Sequence, residues 1–110
     1  MIVCTTLGPG GTVGGGLGKA AQVAVATVDE GQVASWDERE VSWDRLHDEG
    51  TEGSHHARIV KFLRENDVQL VVARGIGPSM QNTLGKMGIR FVLGVEGDAR
   101  KAVVDAAERQ

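Results

Sequence analysis

Hydrophobic positions change their period along the chain, and the change divides it into two regimes. Met1–Thr6 is a short apolar, β-rich run that predicts a buried opening strand. Ala20–Val28 (AAQVAVATV) is small and β-branched, which predicts a second. Asp29-Glu30-Gly31 then has the composition of a tight hairpin turn, so Gln32–Trp43 returns as a third strand. Its interior, Asp37-Glu38-Arg39-Glu40, is charged throughout, as befits an edge strand open to water.

After an acidic loop at His47–Gly53 the period becomes helical. For a helix beginning near Ser54, at 100° per residue, Ile59, Val60 and Leu63 lie within about 60° of His56. Arg58, Lys61, Arg64 and Glu65 fall on the water side. Gln69–Ala73 is a near-continuous apolar run, the signature of a central parallel strand. Gly77-Pro78-Ser79 opens the next helix, with proline where its missing N–H costs nothing. Met80, Leu84 and Met87 share a face of that helix, and Gly88 stops it. Arg90–Leu93 forms the last strand. Asp98 caps a final helix with a small stripe of Ala99, Ala102, Val103 and Ala106. The order βββαβαβα predicts an antiparallel meander followed by parallel strands joined through helices.

Composition narrows the picture. A chain of 110 residues implies one domain, 1–110. A net charge of −3 gives no electrostatic reason to expect nucleic acid or an anionic membrane as partner. Only four aromatic residues, Trp36, Trp43, Phe62 and Phe91, further weaken base stacking. A single cysteine, Cys4, excludes an internal disulfide and an all-cysteine metal cage. The opening segment MIVCTT lacks a basic, apolar leader, and no apolar window is long enough to span a bilayer, so the expectation is a cytoplasmic protein without membrane contact.

Three places invite chemistry. Gly8–Gly18 carries seven glycines and predicts a long mobile loop. It is no phosphate loop: Gly18-Lys19 is preceded at the Walker spacing by Val13 and followed by Ala20, and a strand rather than a helix comes next. Arg74-Gly75-Ile76-Gly77-Pro78-Ser79 lies between the carboxyl end of a strand and a helix start. Its backbone amides, with Arg74 and Ser79, suit an anion, although the glycines also suit a plain tight turn. His55 and His56 are the third. His56, on the apolar face at the first turn, points to the loop edge either as a half-buried imidazole satisfied by backbone or as a ligand to a metal or metal–sulfur cofactor, with His55, His47 or Cys4 nearby. Adjacent histidines diverge by 100°, so both are not expected to face one site. Hydrolytic chemistry has little to work with. The first strand and the apolar helix faces hold no carboxylates for a two-metal centre.

The run HHARIVKFL…DVQLVVARGIGPSMQNTLGKMGIRFVLG resembles the dinitrogenase iron–molybdenum cofactor biosynthesis family, small proteins and domains that bind nitrogenase cofactor or its iron–sulfur precursors. Ile76-Gly77-Pro78-Ser79 is the most specific match, and Leu17-Gly18-Lys19-Ala20 looks like the family's Phe-Gly-Arg-Ala. The chain departs from the family pattern at Ala57, Leu17 and Lys19. The resemblance implies a ribonuclease-H-like three-layer α/β fold, a five-stranded mixed sheet flanked by helices without nuclease chemistry. It also implies a non-enzymatic carrier of an iron–sulfur or iron–molybdenum-type cluster. His56 would then be the metal ligand with Cys4 assisting, and His55, Lys19, Arg74, Gly75, Gly77 and Ser79 would surround the cofactor. A donor or acceptor protein for the cluster would be the partner. The competing expectation is a metal-free interaction module in which Trp36 and Trp43 on the edge strand 32–43 anchor a partner or a homodimer.

Overall fold

The computed structural model describes residues 1–110. Five strands form one mixed sheet in the order β3-β2-β1-β4-β5, with β1 Ile2–Leu7, β2 Gln22–Asp29, β3 Gln32–Glu40, β4 Leu70–Val72 and β5 Arg90–Val92. β1 pairs antiparallel with β2 and parallel with β4, and β4 is parallel to β5. The helices are a single turn α1 (Trp43–Leu46), α2 (Glu52–Glu65), α3 (Pro78–Lys86) and α4 (Ala99–Glu108). This is the ribonuclease-H-like three-layer arrangement that the family resemblance implies.

Strand alternation sorts the core into two layers. Cys4, Val23 and Val71 face Ile59 and Leu63 of α2 and Met80 and Leu84 of α3. Val3, Ala26, Leu70 and Val72 face the small stripe of α4, where Ala99, Ala102, Val103 and Ala106 let the helix lie close. β1 and β4 are covered on both sides, which is why they read as continuous apolar runs. The hairpin turn is as predicted: Glu30 and Gly31 both take positive φ (50° and 75°), the primed turn that suits twisted strands.

Two expectations about the meander need correction. β3 ends at Glu40, and Trp43 does not belong to it. That tryptophan opens α1, is 2% exposed, and meets Phe62 edge-on at 5.4 Å. Trp36 does lie on β3, but on the α4 face, with the Arg100 guanidinium 4.7 Å from its ring centroid. The two tryptophans therefore sit on opposite sides of the sheet and cannot anchor one partner together. A register shift between Thr27 and Val28 leaves Ala34 unmatched. That bulge brings Val33 and Trp36 to the same face despite their odd spacing.

The glycine segment is the other correction. It is tied down strand by strand. Val13 N–H donates to Gly97 O (2.8 Å), Gly14 N–H to Thr6 O (3.0 Å) and Leu17 N–H to Gly75 O (3.1 Å). Short 3-10 turns form at Pro9–Gly11 and Leu17–Lys19, and Leu17 is fully buried. Gly14 shows why glycine is needed, since a Cβ there would lie 2.7 Å from Leu7 O. Composition predicts freedom for such a run, but it cannot show that neighbouring strand ends and loops supply acceptors for its amides.

Candidate functional site

The glycine segment crosses the carboxyl end of β4 and, with α2 and α3, encloses a pocket of about 500 Å³. Open α/β sheets place ligands at this edge, and the volume is that of a small-molecule or cofactor site. Its walls come from four places. Gly16, Leu17, Gly18 and Lys19 form one; His47 follows α1; Glu52, His55, His56 and Ile59 belong to the first turns of α2; Gly77, Pro78, Ser79 and Met80 open α3.

His55 is the buried member, 3% exposed. Its Nε2 lies 2.7 Å from Gly18 O and its Nδ1 2.9 Å from an Arg58 guanidinium nitrogen. Arginine can only donate, so Nδ1 accepts and Nε2 carries the proton given to Gly18. Both ring nitrogens are thereby used, and His55 bolts α2 to the Leu17–Lys19 turn. His56 is different. Its side chain is 23% exposed and Nε2 stands 3.8 Å from Glu52 Oε1, beyond hydrogen-bond distance. Both side chains border the pocket from positions 100° apart, but only His56 keeps its ring nitrogens free of hydrogen bonds there. The satisfied, buried imidazole is His55 rather than His56.

At the opposite wall α3 begins at Gly77 with no side-chain cap. Pro78 has no N–H, and the amides of Ser79 and Met80 have no backbone acceptor. The positive end of the helix dipole thus opens into the pocket beside Lys19, which takes part in none of the ion pairs. Glu52 supplies the opposing charge. It lies before the helix start expected near Ser54, and Thr51 is the residue that signals the earlier start. Thr51 Oγ1 accepts from Ser54 N–H at 3.0 Å as the N-cap, which places Glu52 in the first turn.

Other expected residues lie outside the pocket. Arg74 turns away to pair with Glu96 at 3.0 Å, both largely exposed. Gly75 does not line the pocket; its carbonyl accepts from Leu17 N–H. Cys4 is sealed between β2 and β4, 0% exposed, and does not line the pocket, so the thiol expected to assist a metal is out of reach. No three His, Cys, Asp or Glu side chains converge to hold a metal ion.

Burial pushes the Cys4 thiol up from 9.0 to about 12. The fold therefore keeps a proton that the unfolded chain releases near pH 9. The contribution of this group to stability is complete below pH 9 and falls by about 1.4 kcal/mol per pH unit from there toward 12. We expect Cys4→Ala to flatten that part of the stability profile, measured by urea denaturation at stepped pH. Thiol labelling of the native protein at pH 8 should be at least about a hundredfold slower than in urea. Equal rates would show that β1 is not sealed.

The comparisons agree with this architecture. The crystal structure of PH0822 superposes with a TM-score of 0.73 over 97% of this chain and 89% of its own, at 20% identity, which is a likeness of fold. No functionally curated protein matches. No helix is long and apolar enough to cross a membrane. The family model for dinitrogenase iron-molybdenum cofactor matches residues 1–109, and the chain therefore belongs to that family, which is related to accessory proteins of the nitrogenase cofactor.

Proposed function

We propose that this chain is a non-enzymatic binding or carrier protein for an iron–sulfur-type metallocofactor or its precursor, seated in the pocket between α2 and α3 with His56 as protein ligand. The observation that carries the reading is His56 itself. It is an imidazole on the wall of a cofactor-sized pocket, free of hydrogen bonds, and the same pocket is lined by an uncapped helix start. The donor set suits cargo of one kind. With no thiolate in the pocket, the chain cannot build a cysteine-caged cluster. It can hold a preassembled cluster that brings its own sulfides and offers a metal coordination position to an imidazole. Such clusters are anionic, and Lys19 with the Ser79 and Met80 amides offsets that charge. The partner that follows from this chemistry is a protein that donates or accepts the cluster. Family membership supports the cofactor association.

The test is anaerobic. Protein as isolated, and after incubation with a reconstituted iron–sulfur cluster, is analysed for iron, sulfide and molybdenum alongside its visible spectrum. We expect uptake of cluster, reduced at least about tenfold by His56→Ala, since loss of a direct ligand removes more than an orienting contact would. A colourless protein that refuses the cluster would sink the carrier reading.

A further inference from the structure

The three imidazoles that line the pocket are unequally committed. His55 has no nitrogen to offer, as both are hydrogen-bonded within the chain. His47 has one. Its Nδ1 lies 3.2 Å from Asp48 Oδ1, and an ionised carboxylate only accepts, so Nδ1 bears the proton and Nε2 keeps its lone pair. A carboxylate behind one ring nitrogen is also the arrangement that orients metal-ligating histidines and raises their basicity. His56 makes no hydrogen bond through either nitrogen.

We propose that His47 and His56 form a two-imidazole seat, gripping the metal of an anionic cluster from two walls of the pocket while the cargo's own ligands fill its other positions. The inference rests on the carrier reading and adds the second ligand to it. His47 is well placed to serve. It follows α1, which the buried Trp43 anchors to the core and Asp44 N–H ties to Ala20 O at 3.3 Å. Its ring stands edge-on to His55 at 5.3 Å and 82°, so it leans on an imidazole already fixed by Arg58 and Gly18. His55 is therefore a positioning residue, and its burial explains how three histidines share one pocket while only two ligate.

A seat of two imidazoles fits cargo rather than a structural metal. Structural sites close the coordination sphere with four protein ligands, whereas two leave the metal exchangeable. Glu52, 79% exposed, is no obstacle. It swings to water, or accepts from His56 Nε2–H when His56 ligates through Nδ1.

Co(II) alone is the probe, titrated into the full-length protein and followed by its visible absorption and by paramagnetically shifted imidazole protons. We expect one equivalent to bind with two shifted imidazoles. His47→Ala and His56→Ala should each weaken binding at least about tenfold, and Asp48→Ala, which removes the acceptor behind His47, about tenfold through His47 orientation. His47→Gln repeats the test in a side chain that retains bulk, should the alanine variant unfold. Wild-type affinity in both His47 variants, with one shifted imidazole, would remove His47 and leave the His56 carrier reading intact. No Co(II) binding, or binding that shifts neither ring, would overturn the seat, whereas the carrier reading itself falls only on failed cluster uptake.

Discussion

Trp43→Ala will lower the melting temperature of this protein by roughly 15 °C, whereas Trp36→Ala will lower it by only a few degrees. The difference follows from where each ring ends. Trp43 is 2% exposed and fills the space between α1, Phe62 and the β-sheet layer that carries Cys4 and Val23. Truncation removes its transfer free energy and leaves a cavity bounded by strands that cannot collapse into it, a loss of about 3–5 kcal/mol. Trp36 is partly open to water, hydrogen-bonded to Glu38 at 2.8 Å and stacked by Arg100. Losing that stacking and partial burial costs about 1 kcal/mol. Thermal and urea denaturation of the two variants side by side is the measurement. Equal losses would mean that Trp43 is not the core residue the packing makes it. The consequence extends to the pocket, because α1 presents His47. A destabilised α1 in Trp43→Ala should weaken Co(II) binding even under conditions where the sheet remains folded.

The contrast between these tryptophans also marks how far the sequence could be read. Period-2 and period-3.6 patterns report what each segment does to its own two faces, so the strands, the hairpin at Glu30-Gly31, the Asp98 cap and the α4 stripe were all legible. What the patterns do not report is which segment supplies a distant partner. Trp43 follows β3 so closely that it reads as part of the strand, and only the Ala21 carbonyl, which accepts from Val41 and Ser42, shows the chain turning into α1 there. The glycine run reads as free because its anchors, Gly75 and Gly97, are distant in sequence. The pocket was visible in outline, since His56, Lys19, Gly77 and Ser79 do gather at it, while Arg74 and Cys4 do not. Arg74 was lost to a local rival, the Glu96 carboxylate on the loop after β5, which no helical or strand period encodes.

The register of α2 is the sharpest case, and it sets the second large effect. Around a helix, His55 and His56 flank the direction of Ile59 and Leu63 almost symmetrically, so periodicity alone cannot choose the buried one. The choice is made across space by Gly18 O and Arg58. His55→Ala should therefore cost about 2–4 kcal/mol, from the cavity, the lost bond to Gly18 and the unpaired carbonyl left behind. His56→Ala, which breaks no hydrogen bond, should cost under about 1 kcal/mol. Chemical denaturation gives both values. Cluster and Co(II) binding give the complement. His56→Ala should lose binding in a protein of nearly wild-type stability. His55→Ala should lose stability first, with affinity weakened through the freed Leu17–Lys19 turn and the unsupported His47 ring. His55→Gln separates these effects, since its amide can donate to Gly18 O but cannot pack His47 edge-on. It should recover part of the stability and little of the affinity. If His55→Ala proved as stable as His56→Ala, His55 would not be the bolt that closes the pocket, and the assignment of one structural and two binding histidines would have to be redrawn.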